Sequence, residues 1–191
     1  MKKGRKIILG ALFLGTAALL VTGCDLKKNE TKQENQPVEE KSKGNCKILD
    51  CINKIEITDT LETINSTMGF DGEQSGEGNG WKKYKWELNE DENVEVTFFE
   101  SRKDIIKINF KDEKIKNNKV DFSEFAELKK QISGGTEIKY DKIKESFKAE
   151  GTLVEKGDIT NVYRWVNGDG GYMNVSFSTV NGKCTFAMGR Y

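Results

Sequence analysis

The chain has no histidine, and this absence removes several classes of functional site at once. Serine and cysteine nucleophiles are usually activated by histidine, which is also the commonest general acid–base residue. Histidine is a frequent zinc ligand too, and two neighbouring cysteines with one distant cysteine would make a weak zinc site. The sequence therefore predicts no enzyme, no metal site and no cofactor. An enzyme would need carboxylate or lysine chemistry that no motif locates.

Two kinds of ligand site lack their usual signals. The glycine-rich stretch GEQSGEGNG at 72–80 has neither the lysine nor the strand–helix setting of a phosphate-binding loop. The formal net charge of the whole chain is zero, and removal of the four cations within residues 1–6 leaves −4. A nucleic-acid-binding protein carries a strong basic bias. The sequence therefore predicts no nucleic-acid partner.

Long apolar runs are scarce, and the clearest one lies at the N-terminus. Residues 1–6 are cationic and residues 7–21 are apolar or small, which is typical of a secretory signal. The run is shorter than the roughly 20 residues that a transmembrane helix needs. VTGC at 21–24 closely resembles a bacterial lipobox. The alternative is an ordinary signal anchor that contains a cysteine by chance.

The lipobox resemblance implies a specific modification of the chain. Residues 1–23 would be cleaved as a signal peptide, and Cys24 would carry a thioether-linked diacylglycerol. Two acyl chains hold a protein stably on a membrane, because each buried methylene contributes about 0.8 kcal/mol. We therefore expect a protein that is lipid-anchored at the extracytoplasmic face of the cell membrane.

The one proline of the chain lies in a segment with almost no large apolar side chains. Residues 25–44, DLKKNETKQENQPVEEKSKG, mix charges of both signs. Such a segment cannot bury enough apolar surface to offset the entropy of ordering. The sequence predicts that residues 24–44 are the lipidated cysteine and a disordered tether. A linear binding motif in the tether is the alternative.

Two stretches that lie 79 residues apart share one pattern. YKWELNEDENVEVTFFE at 84–100 and YRWVNGDGGYMNVSFST at 163–179 both contain Tyr-x-Trp followed by Val-x-Phe. The same offset pairs further residues without a gap, because 64 + 79 = 143, 72 + 79 = 151 and 78 + 79 = 157. We therefore predict two tandem units, 45–112 and 113–191. The additional pairs are Ile64 with Ile143, Gly72 with Gly151 and Gly78 with Gly157.

Each unit has helical periodicity first and strand alternation afterwards. This order predicts an α+β fold of two helix–helix–antiparallel-sheet units, with helices on one sheet face and the other face open. The expected N-caps are Thr58 or Asp59 and Ser123. The predicted helices are near 46–54, 58–68, 121–132 and 137–147, and the predicted strands are near 81–89, 93–100, 104–110, 152–156, 160–167, 172–179 and 183–189.

Strand alternation assigns side chains to the two sheet faces. Tyr163 and Trp165 share a face with Val175 and Phe177, and the repetition of this set favours a core beneath the helices over a ligand-binding aromatic pair. If the last hairpin of the first unit is one residue longer, Cys184, Phe186 and Met188 take the core places of Ile106, Ile108 and Phe110. The open face is then predicted to carry Lys83, Lys85, Glu87, Glu95, Thr97, Phe99, Val162, Arg164, Val166, Asn174, Ser176 and Thr185.

The repeated pattern resembles the tandem units of the β-lactamase inhibitory protein (BLIP)-like family, whose members include small secreted proteins and lipoproteins of Gram-positive bacteria. The resemblance covers about 45–191 and is clearest at 137–184. It implies two units side by side that form a continuous concave sheet. It also implies that this face and a hairpin loop of the first unit plug an enzyme cleft. The counterpart of that loop is 89–93, which makes Glu90 and Asp91 candidate plug residues.

The sequence departs from the inhibitor pattern at the predicted contact surface. An aromatic-rich open face and two paired cysteines per unit are not present. We therefore predict a protein-binding module that recognises an unknown extracellular or envelope protein through its open face. The alternatives are an inhibitor of a secreted hydrolase, such as a β-lactamase, and a non-catalytic envelope scaffold. The candidate partner-binding residues are Glu90, Asp91, Phe99, Lys85, Arg164 and Ser176.

Three cysteines remain besides Cys24, which is an odd number. Cys184 is expected to be a buried free thiol. Cys46 and Cys51 would lie about 140° apart on a regular helix, which is unfavourable for a disulfide. A bridge between them requires the helix to start after Cys46. An extracytoplasmic compartment permits disulfides, so the sequence leaves the redox state of this pair open.

Overall fold

A computed structural model describes residues 43–101, 104–115 and 120–190. The predicted signal peptide 1–23, Cys24 and most of the tether 24–44 lie outside these residues. The fold is α+β, with four α-helices and an open, eight-stranded antiparallel sheet. Within the described ranges, no helix combines the length and the apolarity that crossing a membrane requires.

The sheet is a meander in which each strand pairs with the next strand along the chain. Its spatial order is β1 to β8 without a crossover, so β1 and β8 are the two edges. The strands of the first half alternate between buried and more exposed side chains, as in Val94 and Val96 of β3. The strands are β1 Glu73–Gly78, β2 Trp81–Asn89, β3 Glu92–Phe99, β4 Ile105–Asn109, β5 Thr152–Lys156, β6 Thr160–Val166, β7 Tyr172–Ser178 and β8 Cys184–Arg190.

The helices precede the strands in each half of the chain. α1 contacts β3, β4 and β5, whereas α3 contacts β8 and α4. The Thr60 side chain caps α2 by accepting the Thr63 N–H at 3.3 Å, and Asp121 caps α3 by accepting the Ser123 N–H at 2.9 Å. The helices are α1 Ile48–Lys54, α2 Leu61–Met68, α3 Phe122–Ser133 and α4 Tyr140–Phe147, with a 3₁₀ turn at Asp112–Lys114.

Two sequence-based expectations about local structure were wrong. The caps of α2 and α3 are Thr60 and Asp121, which lie one or two residues away from the predicted Thr58 or Asp59 and Ser123. The first strand, β1, was missed because EQSGEG contains two glycines and no β-branched residue, so it has little intrinsic strand preference. The strand is instead held in place by its pairing with β2, from Glu73 opposite Lys85 to Gly78 opposite Trp81.

The buried side of the sheet carries the repeated tryptophans. Trp86 and Trp165 are both fully buried, as are Val96 and Val175, which confirms their prediction as core residues. Trp86 belongs to one hydrophobic cluster and Trp165 to another. Val154 of β5 belongs to the cluster of Trp86.

A glycine lies against each buried indole. A Cβ atom on Gly72 would stand 2.4 Å from Trp86 Cε2, and a Cβ atom on Gly151 would stand 2.5 Å from Trp165 Cζ2. Real Cβ atoms do not approach ring carbons so closely. Both positions therefore require glycine because of the close packing of the ring.

The assignment of Phe186 and Met188 to the core was wrong. Phe177 pairs with Cys184 but Ser176 pairs with Phe186, so Thr185 is an extra residue in β8. Such a β-bulge shifts the alternation of side chains that follow it. Phe186 and Met188 consequently project from the face that carries Ser176, with 56% and 48% of their surface exposed.

Cys46 and Cys51 form a disulfide with their Cα atoms 5.7 Å apart. α1 begins at Ile48, after Cys46, which is the condition that the sequence set for a bridge. Cys184 is a free thiol that packs partly against the cluster of Trp165. Burial raises the pKa of the Cys184 thiol, and a contact with the Phe186 carbonyl opposes that rise.

Candidate functional site

The open face is the sheet face that carries Lys85, Thr97 and Ser176, and its first five strands bear a row of alternating charges. Cross-strand pairing places Glu73 opposite Lys85, Lys85 opposite Glu95, Glu95 opposite Lys107 and Lys107 opposite Glu155. Directly opposed side chains in such a ladder have Cβ atoms about 4.5–5.5 Å apart. Each charge therefore lies beside at least one charge of opposite sign, and the two lysines offset two of the three glutamates within the protein.

Lys85 lies in this row and has a second carboxylate within reach. Its Nζ atom is 2.6 Å from Glu87 Oε1. The hydrogen bond to Glu87 raises the pKa of Lys85, and the charges of Glu87, Glu95 and Glu73 act in the same direction against desolvation. The same bond lowers the pKa of Glu87. Lys85 is thus cationic but already engaged inside the chain.

An aromatic pair stands at the end of the open face where β2 begins. Trp81 lies directly opposite Phe99, and both side chains are half-buried. A Cβ atom on Gly78 would lie 2.4 Å from Trp81 Nε1, and one on Gly76 would lie 3.4 Å from Trp81 Cζ3. The indole therefore rests on the backbone of β1, which glycine leaves accessible.

Trp81 was not among the predicted site residues, although the signals for it were present. It shares the parity of Lys83, which was assigned to the open face, and it follows glycines at alternate positions of β1. Phe99, which was predicted, is positioned by its N–H, which donates to Asp104 Oδ1 at 3.0 Å. Burial raises the pKa of Asp104, and this hydrogen bond opposes the rise.

Arg164 lies on the predicted face but is occupied by contacts within the chain. Its Nη1 atom is 2.9 Å from Asp112 Oδ1, and its Nε–H donates to Asn174 Oδ1 at 2.9 Å. The guanidinium carbon lies 4.7 Å from the ring centre of Tyr172 and 5.7 Å from that of Phe110. Only 16% of the side chain is exposed, so Arg164 joins the connection after β4 to the sheet.

The same connection accounts for a further departure from the predicted open face. Val166 is buried and belongs to one hydrophobic cluster with Phe110 and Ile115, and Val162 packs partly against that cluster. The Val166 carbonyl also accepts the Val120 N–H at 3.0 Å. The expectation that Val166 is exposed was therefore wrong, because a segment distant in sequence covers it.

The predicted plug loop is a short turn between β2 and β3. Glu90 and Asp91 are its two exposed residues. The Asp91 N–H donates to Asn89 Oδ1 at 3.0 Å, and the Asp91 carboxylate lies 2.5 Å from Lys111 Nζ. The turn is thus compact, and one of its two charges is already paired.

Glu92, which follows this turn, is only 2% exposed. It pairs with Lys114 of the 3₁₀ turn and accepts a hydrogen bond from the Asn89 amide at 2.8 Å. A buried carboxylate needs such partners because desolvation of an isolated charge is costly. Part of the acidic charge that the sequence places in this hairpin is therefore buried within the chain.

Ser176 marks the other end of the row that contains Lys85. It lies opposite Val162 and Phe186. Lys85 is on β2 and Ser176 on β7, and strands are spaced about 4.8 Å apart, so the two residues are about 24 Å apart across the sheet. A small molecule does not span that distance, whereas a protein surface does.

The six predicted partner-binding residues do not form one cluster. Glu90 and Asp91 lie in the β2–β3 turn, Phe99 near the opposite end of those strands, and Lys85 between them; Arg164 and Ser176 lie on β6 and β7. In the part of the chain that the structure describes, no group of three histidine, cysteine, aspartate or glutamate side chains is arranged to hold a metal ion.

Comparison of the chain with protein-family models, with curated proteins and with solved structures finds no match.

Proposed function

We propose that the protein is an extracytoplasmic, lipid-anchored binding module that recognises another protein through its open face. The observation that carries this proposal is the Trp81–Phe99 pair on its glycine backing. Tryptophan is enriched among the residues that contribute most to protein–protein affinity. The charges of the neighbouring row are already engaged within the chain, so the row supports specificity by disfavouring partners that would place like charges against it.

The anchoring part of the proposal rests on the N-terminal sequence. Residues 1–6, 7–21 and the VTGC stretch support cleavage before Cys24 and acylation of its thiol. The chain enters the fold at Lys43, whose N–H donates to the Leu88 carbonyl at 2.7 Å.

We also propose that the chain is a duplication of one helix–helix–sheet unit, with the helices on one sheet face, as in the BLIP-like family. Several element boundaries support it through the 79-residue offset. β1 begins at 73 and β5 at 152, β2 at 81 and β6 at 160, and β4 at 105 and β8 at 184; α2 spans 61–68 and α4 spans 140–147. The paired contacts of Gly72 with Trp86 and Gly151 with Trp165 support it further.

The inhibitor alternative requires the acidic turn to enter an enzyme cleft. Asp91 pairs with Lys111 and Glu92 is buried against Lys114, so entry would break at least the first pair. The arrangement gives no support to inhibition of a β-lactamase or another hydrolase over protein binding in general. The envelope-scaffold alternative has no separate observation in its favour either.

A photo-crosslinking amino acid tests the proposed face in the full chain within its own envelope. Placed at Thr97, beside the aromatic pair on the open face, it is expected to give an adduct with one discrete protein. Placed at the exposed Lys129 of α3, it serves as the matched control and gives no such adduct.

Substitution of Trp81 then tests whether the aromatic pair contributes to the affinity for the partner. Trp81→Ala is expected to weaken the complex by about 2 kcal/mol, or about 30-fold, as truncation of a central anchor does. Thermal unfolding of the variant checks that the fold is retained. Equal adducts from Thr97 and Lys129, or an adduct at Thr97 that Trp81→Ala leaves unchanged, would contradict the proposal.

A further inference from the structure

The two edges of the sheet differ in how they are protected against pairing with another strand. β1 carries Glu73, Glu77 and two glycines and is interrupted by a bulge beside Gln74. Charges and bulges of this kind prevent edge strands from pairing. β8, Cys184–Arg190, has its bulge only at its start, at Thr185, and it carries no acidic residue, no lysine and no proline; its one charged residue is Arg190 at the end.

The outer edge of β8 is covered only at its start by described residues. The Cys184 N–H donates to the Ile138 carbonyl at 2.6 Å, and Lys183 forms an isolated bridge with Lys139. Of the described strands, none lies beyond Thr185–Arg190. This stretch therefore offers backbone donors and acceptors along its outer side.

The open face of the same stretch is apolar. Phe186 and Met188 are both about half exposed, at 56% and 48%. They stand one residue before and one residue after Ala187, so both side chains project from the same face of the sheet. A long and apolar edge strand without protection associates with other chains unless it has a specific partner.

We propose that β8 pairs with β8 of a second copy of this chain, in antiparallel orientation about a two-fold axis at Ala187. In this register Phe186 lies opposite Met188 of the second copy, and Met188 lies opposite its Phe186. Both exposed apolar side chains thereby gain an apolar partner, and sulfur–aromatic contacts are favourable. Isologous pairing of this kind closes after two copies.

The opposite face of the strand fits the same register. Ala187 meets its own counterpart on the side against which α3 packs, where Gly189 lies close to Phe125. A two-fold antiparallel pair also places the two Arg190 residues at opposite ends of the interface. Six residues at about 3.3 Å each separate them by about 20 Å, so their charges do not oppose association.

Charge favours a second copy over an extended peptide of another protein. The open stretch has no lysine and no carboxylate that would select a charged peptide, and Arg190 stands alone at its end. What the strand does offer is two apolar residues spaced symmetrically about Ala187, which complement themselves. The inference is independent of the proposed partner site, because β2 and β8 are six strand spacings, about 29 Å, apart.

Co-capture of two differently tagged full chains tests the association. Epitope tags placed within residues 25–42 keep both strand ends free, and the chains are co-expressed and extracted in a mild detergent. The wild-type chains are expected to co-purify. Phe186→Glu and Met188→Glu are each expected to lower co-purification at least tenfold. Val180→Glu is the matched control, because Val180 is 87% exposed but lies outside β8.

Cysteine pairing tests the register. A Phe186→Cys chain and a Met188→Cys chain, both with Cys184→Ala, are co-expressed and treated with a mild oxidant. Directly opposed Cβ atoms lie about 4.5–5.5 Å apart, whereas residue 186 and its own counterpart lie diagonally at about 7–8 Å. The mixed disulfide is therefore expected to form in preference to the dimers of either variant alone.

Three results would overturn the inference. Wild-type chains that do not co-purify show that β8 does not self-associate, and the same holds if Val180→Glu acts as strongly as Phe186→Glu. Preferential disulfide dimers of a single variant show a different register. The partner proposal fails separately, because Trp81→Ala is expected to leave co-purification of the two chains unchanged.

Discussion

Replacement of the glycines that lie against the buried indoles tests the packing of both halves of the chain. In Gly151→Ala the new Cβ atom would stand 2.5–2.9 Å from three ring atoms of Trp165, and in Gly72→Ala it would stand 2.4–2.8 Å from three ring atoms of Trp86. Ordinary carbon contacts are about 3.5–4.0 Å. Each indole would have to move by about 1 Å.

Neither indole is free to make this movement. Trp165 is fully buried, donates from Nε1 to the Ala149 carbonyl at 3.1 Å and packs edge-on against Phe147 at 5.7 Å. Overpacking of a closed core costs about 1–3 kcal/mol. For a chain of this size, that loss lowers the unfolding temperature by about 2–12 °C. The glycines have no left-handed φ angle, so the cost comes from the contact alone.

Urea unfolding followed by circular dichroism measures the effect. Gly168→Ala is the matched control, because no atom lies within 4 Å of a Cβ built there, and we expect it to change the unfolding free energy by less than about 0.5 kcal/mol. A Trp165→Phe substitution removes the outer ring of the indole. In that background Gly151→Ala is expected to cost at least 1 kcal/mol less, because the two positions are in contact.

Two results would refute this reasoning. If Gly72→Ala and Gly151→Ala are no more destabilising than Gly168→Ala, the indoles are not held as closely as described. If the two variants differ from each other by more than about 2 kcal/mol, which is most of the range expected for overpacking, the two glycine–tryptophan pairs are not equivalent and the proposed duplication loses its clearest structural support.

Three further predictions concern single contacts. Arg164→Met is expected to lower the unfolding free energy by about 1–2 kcal/mol, since it removes a partly exposed ion pair and two ring contacts, and urea unfolding measures it. Replacement of Cys46 and Cys51 by alanine is expected to cost about 2 kcal/mol for a loop this short, as a thermal shift measures. Burial raises the pKa of the Cys184 thiol, so its alkylation at pH 8 should be slower than that of a solvent-exposed thiol. Stability should decline as pH rises through that raised pKa, and Cys184→Ala should lack this decline.

The elements that the sequence predicted best are those in which local signals agree. The alternation around Trp86 and Trp165 gave strand limits near those observed, and the apolar spacing of α4 gave a helix that ends at Phe147 as expected. These signals are local because side chains return to the same face every two residues in a strand and every 3.6 residues in a helix.

The parts that could not be predicted depend on residues distant in sequence. Burial of Val166 and engagement of Arg164 follow from the path of the connection near Phe110 and Asp112. The extra residue Thr185 changes the face of all that follows, and no periodicity distinguishes a bulge from a longer turn. The exposure of these residues therefore became known only from the register of the sheet and the path of that connection.

The offset between the proposed units makes the last strand the most informative place to compare them. Thr97 and Ser176 lie 79 residues apart and pair with Ile105 of β4 and Phe186 of β8, so these last two positions correspond. Glu95 and Asn174 also lie 79 residues apart and pair with Lys107 and Met188, which correspond likewise. Lys107 faces Glu155 of the next strand within the same chain. At the second of these positions, the lysine that β4 pairs with its neighbouring strand is replaced in β8 by the exposed Met188. Under the proposed duplication, this change from a charged to an apolar residue is what the proposed intermolecular contact at the edge of β8 requires.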